Sequence, residues 1–378
     1  MLILAVILAI FVYGMIAAML GTILPNLSER FQLTPKQNGG IAFAQALGLI
    51  LASVGVGPLL DAEGKKVGLV LGLTLISAAL FALPRSPGYR AIMLLLFVLG
   101  VGGGIVITSA NALASDLGEA HRGATLNLVN LFFGLGGLVT PFISANLFGK
   151  NWVRLCYSIA TFTLVTLAIE IGTRMPAPSG VHSFVPSDIG PVLGKPVLFL
   201  LGLFLFLYVS CEVGVWNWLP RHLIAQGIPE SRALNILSLG FALGLLVGRL
   251  IVSPILIHVP AVTVTLVSSV AMAITTLLML NTRRPAVAYV MVTLAGLAMA
   301  PVFPTTLAIV GDAFPRMSST AIGFAITCGW VGLAVSSRII GAIAGGDPRR
   351  LRKALLVIPG SAMLMVVLSL VIRAVLRG

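Results

Sequence analysis

Long apolar runs constrain this chain more than any other feature of its sequence. Twelve such stretches cover residues 3–25, 39–60, 67–84, 89–114, 123–147, 152–173, 196–219, 233–256, 260–281, 286–310, 319–344 and 353–375. A helix rises about 1.5 Å per residue, so about 20 apolar residues cross the hydrocarbon core of a bilayer. Residues 197–208 do not alternate apolar and polar side chains as strands of a membrane barrel do. The sequence therefore predicts an all-α membrane protein with twelve transmembrane helices, numbered here as spans 1–12.

The composition excludes a water-soluble surface. Charged residues make up 9% of the chain, against about 25% in soluble domains. The net charge of +13 lies mostly in short loops, which favours lipid headgroups over nucleic acid as the partner. Span 1 lacks the basic start of a signal peptide, and we expect it to be retained. The three cysteines have no metal-ligand or disulfide spacing, so we expect no metal and no other cofactor.

The chain resembles itself when it is shifted by 196 residues. The matches are Ala46-Leu47-Gly48-Leu49 with Ala242-Leu243-Gly244-Leu245, Pro58 with Pro254, Gly100 with Gly296, Asp116 with Asp312, and Gly136 with Gly332. They fall at equivalent places in successive spans, so we predict two six-helix bundles, 1–173 and 196–378, joined by a proline-rich cytoplasmic linker, 174–195. Parallel six-helix repeats around a central site are the plan of one class of transporters. The repeat therefore predicts that the chain moves a small solute across a bilayer.

The loop between spans 2 and 3 carries a motif. It reads Gly57-Pro58-Leu59-Leu60-Asp61-Ala62-Glu63-Gly64-Lys65-Lys66, which resembles the loop signature of the major facilitator superfamily. The resemblance implies the major facilitator fold, alternating access of the rocker-switch type, and a cytoplasmic gate. Asp61 can cap the positive end of a neighbouring helix, and Lys65 and Lys66 can bind lipid phosphates or pair with acids.

Two further acid–base pairs resemble gate residues on the same side. Asp116 with Arg122, and Asp312 with Arg316, flank equivalent span ends. Gating and simple solvated capping both remain open for these four residues.

A narrower resemblance points to sugar carriers of the fucose–proton symporter type and their glucose-transporting relatives. The segments that carry it are 126–134, 208–212, 218–220, 301–306 and 329–333. It implies a sugar as substrate and coupling to protons. Such symporters can hold acids in spans 1 and 4, whereas here span 1 has none and the acid nearest to span 4 is Asp116.

Ionisable side chains inside spans need an explanation, because each costs at least about 2.5–3.5 kcal/mol at the bilayer centre. Glu212 in span 7 is our candidate for proton coupling and solute binding, and Arg338 in span 11 lies at a similar depth where the two could pair. We expect Arg249 to extend towards the membrane surface. We expect Glu170 to pair with Arg174, four residues further along the helix.

Amides and aromatic rings at membrane depth complete the predicted solute site. Amides both donate and accept hydrogen bonds, which suits sugar hydroxyls, and aromatic faces stack on sugar rings. The candidates are Gln45, Asn111, Asn127, Asn130, Tyr208, Trp216, Asn217, Trp218 and Trp330, with Glu212 and Arg338. Interhelical hydrogen bonds for the amides and an interfacial aromatic belt for the tryptophans are the structural alternatives.

Topology has conflicting signals. We expect a monomer in the cytoplasmic (inner) membrane with both termini in the cytoplasm, as the signature loop implies. In that orientation the cytoplasmic loops and tail hold eight Lys or Arg and the outer loops hold fourteen, including Arg349, Arg350, Arg352 and Lys353. The positive-inside rule favours the opposite orientation.

Two other functions compete with sugar transport. Efflux of amphipathic drugs uses the same fold, but such pumps often carry an acid within the first bundle, and spans 1, 2, 4 and 5 have none at mid-membrane. A membrane enzyme is the other alternative, and no catalytic motif is visible. The four histidines lie near span ends or in loops.

Overall fold

We analysed a computed structural model of the chain, which describes residues 1–149, 151–175, 189–282, 284–345 and 348–377. Its helices are α1 (Leu2–Arg30), α2 (Pro35–Glu63), α3 (Lys65–Ala82), α4 (Tyr89–Leu117), α5 (Arg122–Asn146), α6 (Trp152–Gly172), α7 (Ile189–Leu193), α8 (Pro196–Ala225), α9 (Glu230–Asn235), α10 (Leu243–His258), α11 (Ala261–Asn281), α12 (Pro285–Met299), α13 (Val302–Ala313), α14 (Ser318–Ala344), α15 (Pro348–Leu355) and α16 (Val357–Val375). A π-helical segment, Ile236–Ala242, joins α9 to α10.

The prediction of twelve transmembrane helices is confirmed. Within the described residues, twelve helical stretches are long and apolar enough to cross a membrane. Spans 1–6 are α1–α6 and span 7 is α8. Span 8 runs through α9, the π segment and α10, and span 10 consists of α12 and α13. Spans 9, 11 and 12 are α11, α14 and α16.

Local sequence accounts for several helix boundaries. Thr34 and Gln37 form a capping box at the start of α2, each side chain bonding to the backbone of the other residue. Asn151 accepts a hydrogen bond from the Arg154 amide at the start of α6. Gly64 separates α2 from α3 at φ 91°, a conformation that favours glycine. The signature loop is therefore a one-residue break between two long helices.

Glycines at matched positions of the two halves play matched packing roles. A Cβ at Gly136 would overlap the carbonyl oxygen of Phe11, and a Cβ at Gly332 would overlap that of Phe206. The same correspondence relates Gly100 against Gln45 to Gly296 against Phe241, and Gly48 against Phe97 to Gly244 against Thr293. Small residues allow helix backbones this close in a membrane. The repeated glycines thus mark the same helix–helix contacts in each half.

The described chain divides into two compact units. Unit 1 is Met1–Leu117, Val129–Leu193 and Phe314–Thr327, and unit 2 is Gly118–Leu128, Gly194–Ala313 and Cys328–Gly378. In unit 1, α4 packs against α1, α2 and α3. In unit 2, α8 packs against α13 and α16, and α12 packs against α10 and α11.

These units differ from the predicted bundles in one respect. The beginnings of α5 and α14 each group with helices of the other sequence half, and the two segments are equivalent under the shift of 196. Much of the predicted linker, residues 176–188, lies outside the described residues. Its described part contains the short helix α7.

Candidate functional site

Asp61 binds the N-terminus of α14 in unit 1. Its carboxylate accepts hydrogen bonds from the backbone amides of Ser319 (3.1 Å) and Thr320 (2.9 Å) and from the Thr320 hydroxyl (2.6 Å). The first amides of a helix have no intrahelical acceptor, and the helix dipole favours a negative charge there. Asp61 therefore joins the signature loop to the start of span 11.

The two signature lysines bind different helix ends. Lys65 is buried and forms an ion pair with Asp116 at 2.9 Å, and Asp116 also accepts a hydrogen bond from the Ser318 hydroxyl at 3.1 Å. Lys66 donates to the carbonyl oxygens of Ile171 (2.7 Å) and Thr173 (2.9 Å) at the end of α6. A cation is stabilised at the negative end of a helix. The loop thus connects the ends of α4 and α6 with the start of α14.

Unit 2 contains the related contact. Arg122 at the start of α5 pairs with Asp312 at the end of α13. Under the shift of 196, Asp116 corresponds to Asp312 and Arg122 to Ser318. Asp116, at the end of span 4, therefore binds the first residue of span 11, and Asp312, at the end of span 10, binds the first residue of span 5. Arg316, which we expected beside Asp312, is exposed on the turn before α14.

The predicted pair between Glu170 and Arg174 is wrong. Glu170 is fully buried, and neither carboxyl oxygen has a hydrogen-bond partner among the described residues. Arg174 is exposed. Lys66 is the basic residue that acts on Glu170 electrostatically. The chain turns away from the helix at Thr173, and the four-residue spacing therefore does not bring the two groups together.

The amides of unit 1 bond to one another. Asn130 donates to the side-chain oxygen of Asn111 at 2.7 Å, and Asn111 donates to the carbonyl oxygen of Ile107 at 2.8 Å. Both asparagines are buried. Gln45 is half-buried on α2. The Asn111–Asn130 bond joins α4 to α5 and is the interhelical alternative given for these residues.

Asn127 lies in unit 2 and is also buried. It donates to the Gly123 carbonyl oxygen at 2.8 Å and to the Thr305 hydroxyl at 3.0 Å. Its own side-chain oxygen has no partner among the described residues. Asn127 therefore links α5 to α13 and retains one acceptor.

The candidate tryptophans of unit 2 differ in their surroundings. Trp216 stands edge-on to Phe241 at 5.3 Å between ring centroids, and the Arg221 guanidinium lies 5.3 Å from the Trp218 ring. The indole nitrogens of Trp218 and Trp330 are buried and have no hydrogen-bond partner in the described chain. Asn217 is exposed. Two unused indole donors are thus present in unit 2.

Arg249 does not extend to the membrane surface as we expected. It is 4% exposed, and its Nε donates to the carbonyl oxygen of Ala300 at 3.3 Å. The reason lies in span 10, where Pro304 has no amide hydrogen to donate to that carbonyl. The arginine occupies the position of the missing helical donor, at the break between α12 and α13.

Tyr208, Glu212 and Arg249 form an ionisable cluster in unit 2. The Tyr208 hydroxyl is fully buried, is directed towards the Glu212 carboxyl group and interacts electrostatically with Arg249. Arg338 is exposed on α14, and the ion pairs within 4 Å in the described chain do not join it to Glu212. Of the two alternatives for Arg338, the ion pair with Glu212 is therefore not formed, and Arg249 is the basic residue that acts electrostatically on Tyr208.

Similarity to known proteins identifies the family. The sequence profile of the Major Facilitator Superfamily matches residues 6–374. The chain belongs to the Major Facilitator Superfamily. This membership makes it a multi-pass membrane transporter of small solutes rather than an enzyme, as the signature loop and the repeat predict.

Relatives of this superfamily member are distant. The protein TsgA homolog of Erwinia tasmaniensis is 23% identical over 351 residues, which is 87% of this chain and 84% of that protein. Bypass of stop codon protein 6 of Saccharomyces cerevisiae is 24% identical over 267 residues, which is 63% of this chain. The match spans only 54% of the yeast protein.

Solved structures share the fold. FucP, a transporter of the superfamily in an outward conformation, superposes with a TM-score of 0.84 at 18% identity, covering 98% of each chain. The proton:xylose symporter XylE gives 0.77 at 13% identity, covering 97% of this chain and 94% of XylE. The human organic anion transporter MFSD10 gives 0.80 at 16% identity, covering 97% of this chain and 98% of MFSD10.

Several hydrogen-bond partners were not among the residues predicted from the sequence. Thr305 bonds to Asn127, and the Ser318–Thr320 run supplies the donors to Asp116 and Asp61. A run of Ser and Thr before an apolar stretch is a sign of a helix start, and it was available in the sequence. Arg249 gave no such sign, because its role depends on a proline in another helix.

Proposed function

We propose that this chain carries a small hydroxylated solute, a sugar or a close relative of one, across the cytoplasmic membrane by rocker-switch alternating access. The observation that carries the proposal is the set of unused polar atoms in unit 2: the indole nitrogens of Trp218 and Trp330 and the amide oxygen of Asn127. A buried polar group without a partner costs about 1–3 kcal/mol. A solute that is rich in hydroxyl groups supplies both donors and acceptors for these atoms.

Similarity in fold adds support to a sugar as the solute. FucP of E. coli is a fucose:proton symporter, and XylE is a proton:xylose symporter bound to a glucose derivative. The segments 208–212, 218–220 and 301–306, which resemble sugar carriers, include Tyr208, Glu212, Trp218 and Thr305. We propose the solute class from these residues together.

Glu212 is our proposed proton-coupling residue. In the described part of unit 2, the other acids, Glu119, Glu230 and Asp312, lie at helix ends or in turns. Glu212 is half-buried, seventeen residues into the 30-residue helix α8. A carboxyl group at this depth can take up a proton from one side of the membrane and release it to the other.

The helix-end contacts are our proposed gate. The hydrogen bonds of Asp61 and Asp116 with the start of α14, and the Arg122–Asp312 ion pair, each join the two sequence halves at helix ends. Lys65 pairs with Asp116 within the first half. Rocking requires such contacts to form and break in turn. Lys66, on the α6 carbonyl groups, holds the signature loop within its own half.

We propose that this gate and both termini face the cytoplasm, and that the chain acts as a monomer in the inner membrane. Single cysteines at Glu63 and Arg350, both exposed, test the orientation with an impermeant thiol reagent applied to intact cells. Labelling is expected at position 350 alone. Labelling at position 63 alone would reverse the orientation, in agreement with the loop charges.

An uptake screen tests the function. Proteoliposomes that contain the full chain are assayed with radiolabelled monosaccharides and, in parallel, with a fluorescent amphipathic cation. Saturable uptake of at least one monosaccharide, absent from protein-free liposomes, is expected. Movement of the amphipathic cation with no monosaccharide uptake would favour drug efflux instead.

A further inference from the structure

A buried arginine in a transmembrane helix needs a counter-charge. Arg249 is 4% exposed in α10, nine residues before the end of that helix. Burying a guanidinium group away from water is costly unless an anion or several acceptors accompany it. The Ala300 carbonyl oxygen on Nε is one acceptor, and it carries no net charge.

Glu212 is linked to this arginine through Tyr208, which lies four residues before Glu212 on the same face of α8. Both groups act electrostatically on the Tyr208 hydroxyl, which is buried and directed towards the Glu212 carboxyl group. The hydroxyl makes no other hydrogen bond in the described chain. The three side chains come from α8 and α10 and belong to unit 2.

Other titratable groups on the packed elements stand away from this cluster. Those on α8 are Cys211, beside the cluster, and Arg221 and His222 near the end of the helix. The neighbouring elements contribute further titratable groups. They are Glu119, His121 and Arg122 at or just before the start of α5, Glu230 and Arg232 on α9, His258 on α10, Tyr289 on α12, Asp312 on α13, Cys328 and Arg338 on α14, Arg350, Arg352 and Lys353 on α15, and Arg373 on α16. The arginines, lysines and acids of this list, Arg338 apart, lie within two turns of a helix end or on the short helices. Arg338 is exposed. Of the charged groups described in the spans of unit 2, Glu212 and Arg249 are therefore the two opposed charges that act on the Tyr208 hydroxyl.

The guanidinium group is also anchored through its Nε atom. Because Pro304 cannot donate to the Ala300 carbonyl, Nε of Arg249 occupies that acceptor, and Gly248 brings α10 close to Leu297 and Ala300. A planar, oriented guanidinium matches a carboxylate group, with two parallel N–H···O bonds. A lysine would supply the charge without this geometry.

We propose that Arg249 is a binding site for the carboxylate group of an anionic solute, a hydroxylated carboxylic acid such as a sugar acid. In the empty transporter Glu212 is the counter-ion of Arg249. The solute carboxylate replaces Glu212 beside Arg249, and Glu212 becomes neutral by taking up a proton. The Tyr208 hydroxyl can donate a hydrogen bond to the Glu212 carboxyl group or to the solute carboxylate. Each solute carboxylate is thus carried with one proton. This inference deepens the proposed function by narrowing the solute class.

The test measures binding in the intact chain. The melting temperature of the purified protein is followed with matched neutral and acidic probes, D-glucose with D-glucuronate and D-gluconate, and with lactate. The measurement is made at mildly acidic and mildly alkaline pH. The wild type is expected to be stabilised by an acid of this set, more strongly at the acidic pH. Arg249→Gln is expected to weaken that binding by about 30-fold or more, because it leaves the carboxylate without its partner.

Three further variants separate binding from folding. Glu212→Gln is expected to bind the acid equally at both pH values. The double variant Glu212→Gln/Arg249→Gln removes both buried charges together, so it is expected to fold and to lose acid binding. Arg232→Gln on α9, an exposed arginine of the same unit, is the control and is expected to bind as the wild type does.

The remaining outcomes are distinct from one another. Stabilisation by D-glucose and by none of the acids would overturn this inference and leave the proposed function standing. Acid binding that survives in a folded double variant would also overturn it. If none of these compounds stabilises the wild type, the inference fails. The proposed function fails with it only if the uptake screen also finds no monosaccharide.

Discussion

Single residues at helix ends carry much of the chemistry of this chain. Asp61 satisfies two backbone amides and one hydroxyl of α14, and Lys66 satisfies two carbonyl groups of α6. The presence of such residues is visible in the sequence, since the signature loop names Asp61 and both lysines. Their partners were not visible, because Ser319 and Thr320 lie more than 250 residues further along the chain.

Substitution of Asp61 by asparagine is expected to lower stability. The change removes the negative charge at the helix end and one acceptor, a loss of about 1–2 kcal/mol. Thr320→Val is the matched control, because it removes the hydroxyl donor and keeps both amide donors. Thermal unfolding in detergent is the measurement, and a larger loss in Thr320→Val than in Asp61→Asn would contradict the role given to the carboxylate.

Gly57 and Gly55 differ in how closely they approach α14. A Cβ there would lie 2.6 Å from the Thr320 Cα and 2.8 Å from the Ser319 carbonyl oxygen, whereas a Cβ at Gly55 meets nothing within 4 Å. Backbone atoms cannot move aside as a side chain can, so Gly57→Ala is expected to separate α2 from the start of α14. Uptake in proteoliposomes should fall at least about tenfold in Gly57→Ala and stay near wild type in Gly55→Ala. Equal uptake by the two variants would show that this close contact is not needed for transport.

At the scale of whole elements, the repeat explains why glycines recur. Gly100 and Gly296, and Gly136 and Gly332, permit the same close helix contacts in the two sequence halves. The sequence predicted these helices well because apolar length and the shift of 196 are local signals. The break between α12 and α13, and the π segment before α10, escaped prediction. The break follows from Pro301 and Pro304, which lack amide hydrogens for the helical bonds. The π segment receives a hydrogen bond from another helix, from Tyr289 to the Leu239 carbonyl oxygen, which the local sequence does not indicate.

Pro304→Ala is expected to weaken solute binding without lowering thermal stability. The new amide can donate to the Ala300 carbonyl oxygen, so the helical bond is restored and Arg249 loses its anchor. Thermal stability is expected to be unchanged or higher, while the apparent affinity for the transported solute falls. Pro359→Ala, within α16, is the control for loss of a helix proline. Unchanged solute affinity in Pro304→Ala would show that the anchor has no part in binding.

For the whole molecule, pseudo-symmetry and its exceptions are both informative. Asp116 and Asp312 make equivalent contacts with the starts of α14 and α5, and those two starts are exchanged between the compact units. The signature loop and the Glu212–Arg249 cluster have no counterpart under the shift, since positions 257, 16 and 53 are Ile, Ile and Ser. Fold and superfamily followed from the sequence. The surroundings of Arg249 could not be predicted from the sequence. Hydropathy indicates how deep a residue lies in the membrane, but it does not indicate which neighbouring helix its side chain faces.

Glu212 is proposed to couple solute movement to protons. This coupling is tested by comparing wild type and Glu212→Gln in proteoliposomes, with the substrate found by the uptake screen. Accumulation driven by an imposed pH gradient is measured beside exchange of labelled for unlabelled solute at equal pH. Glu212→Gln is expected to abolish accumulation and to retain exchange. Accumulation at the wild-type level in Glu212→Gln would contradict this coupling role.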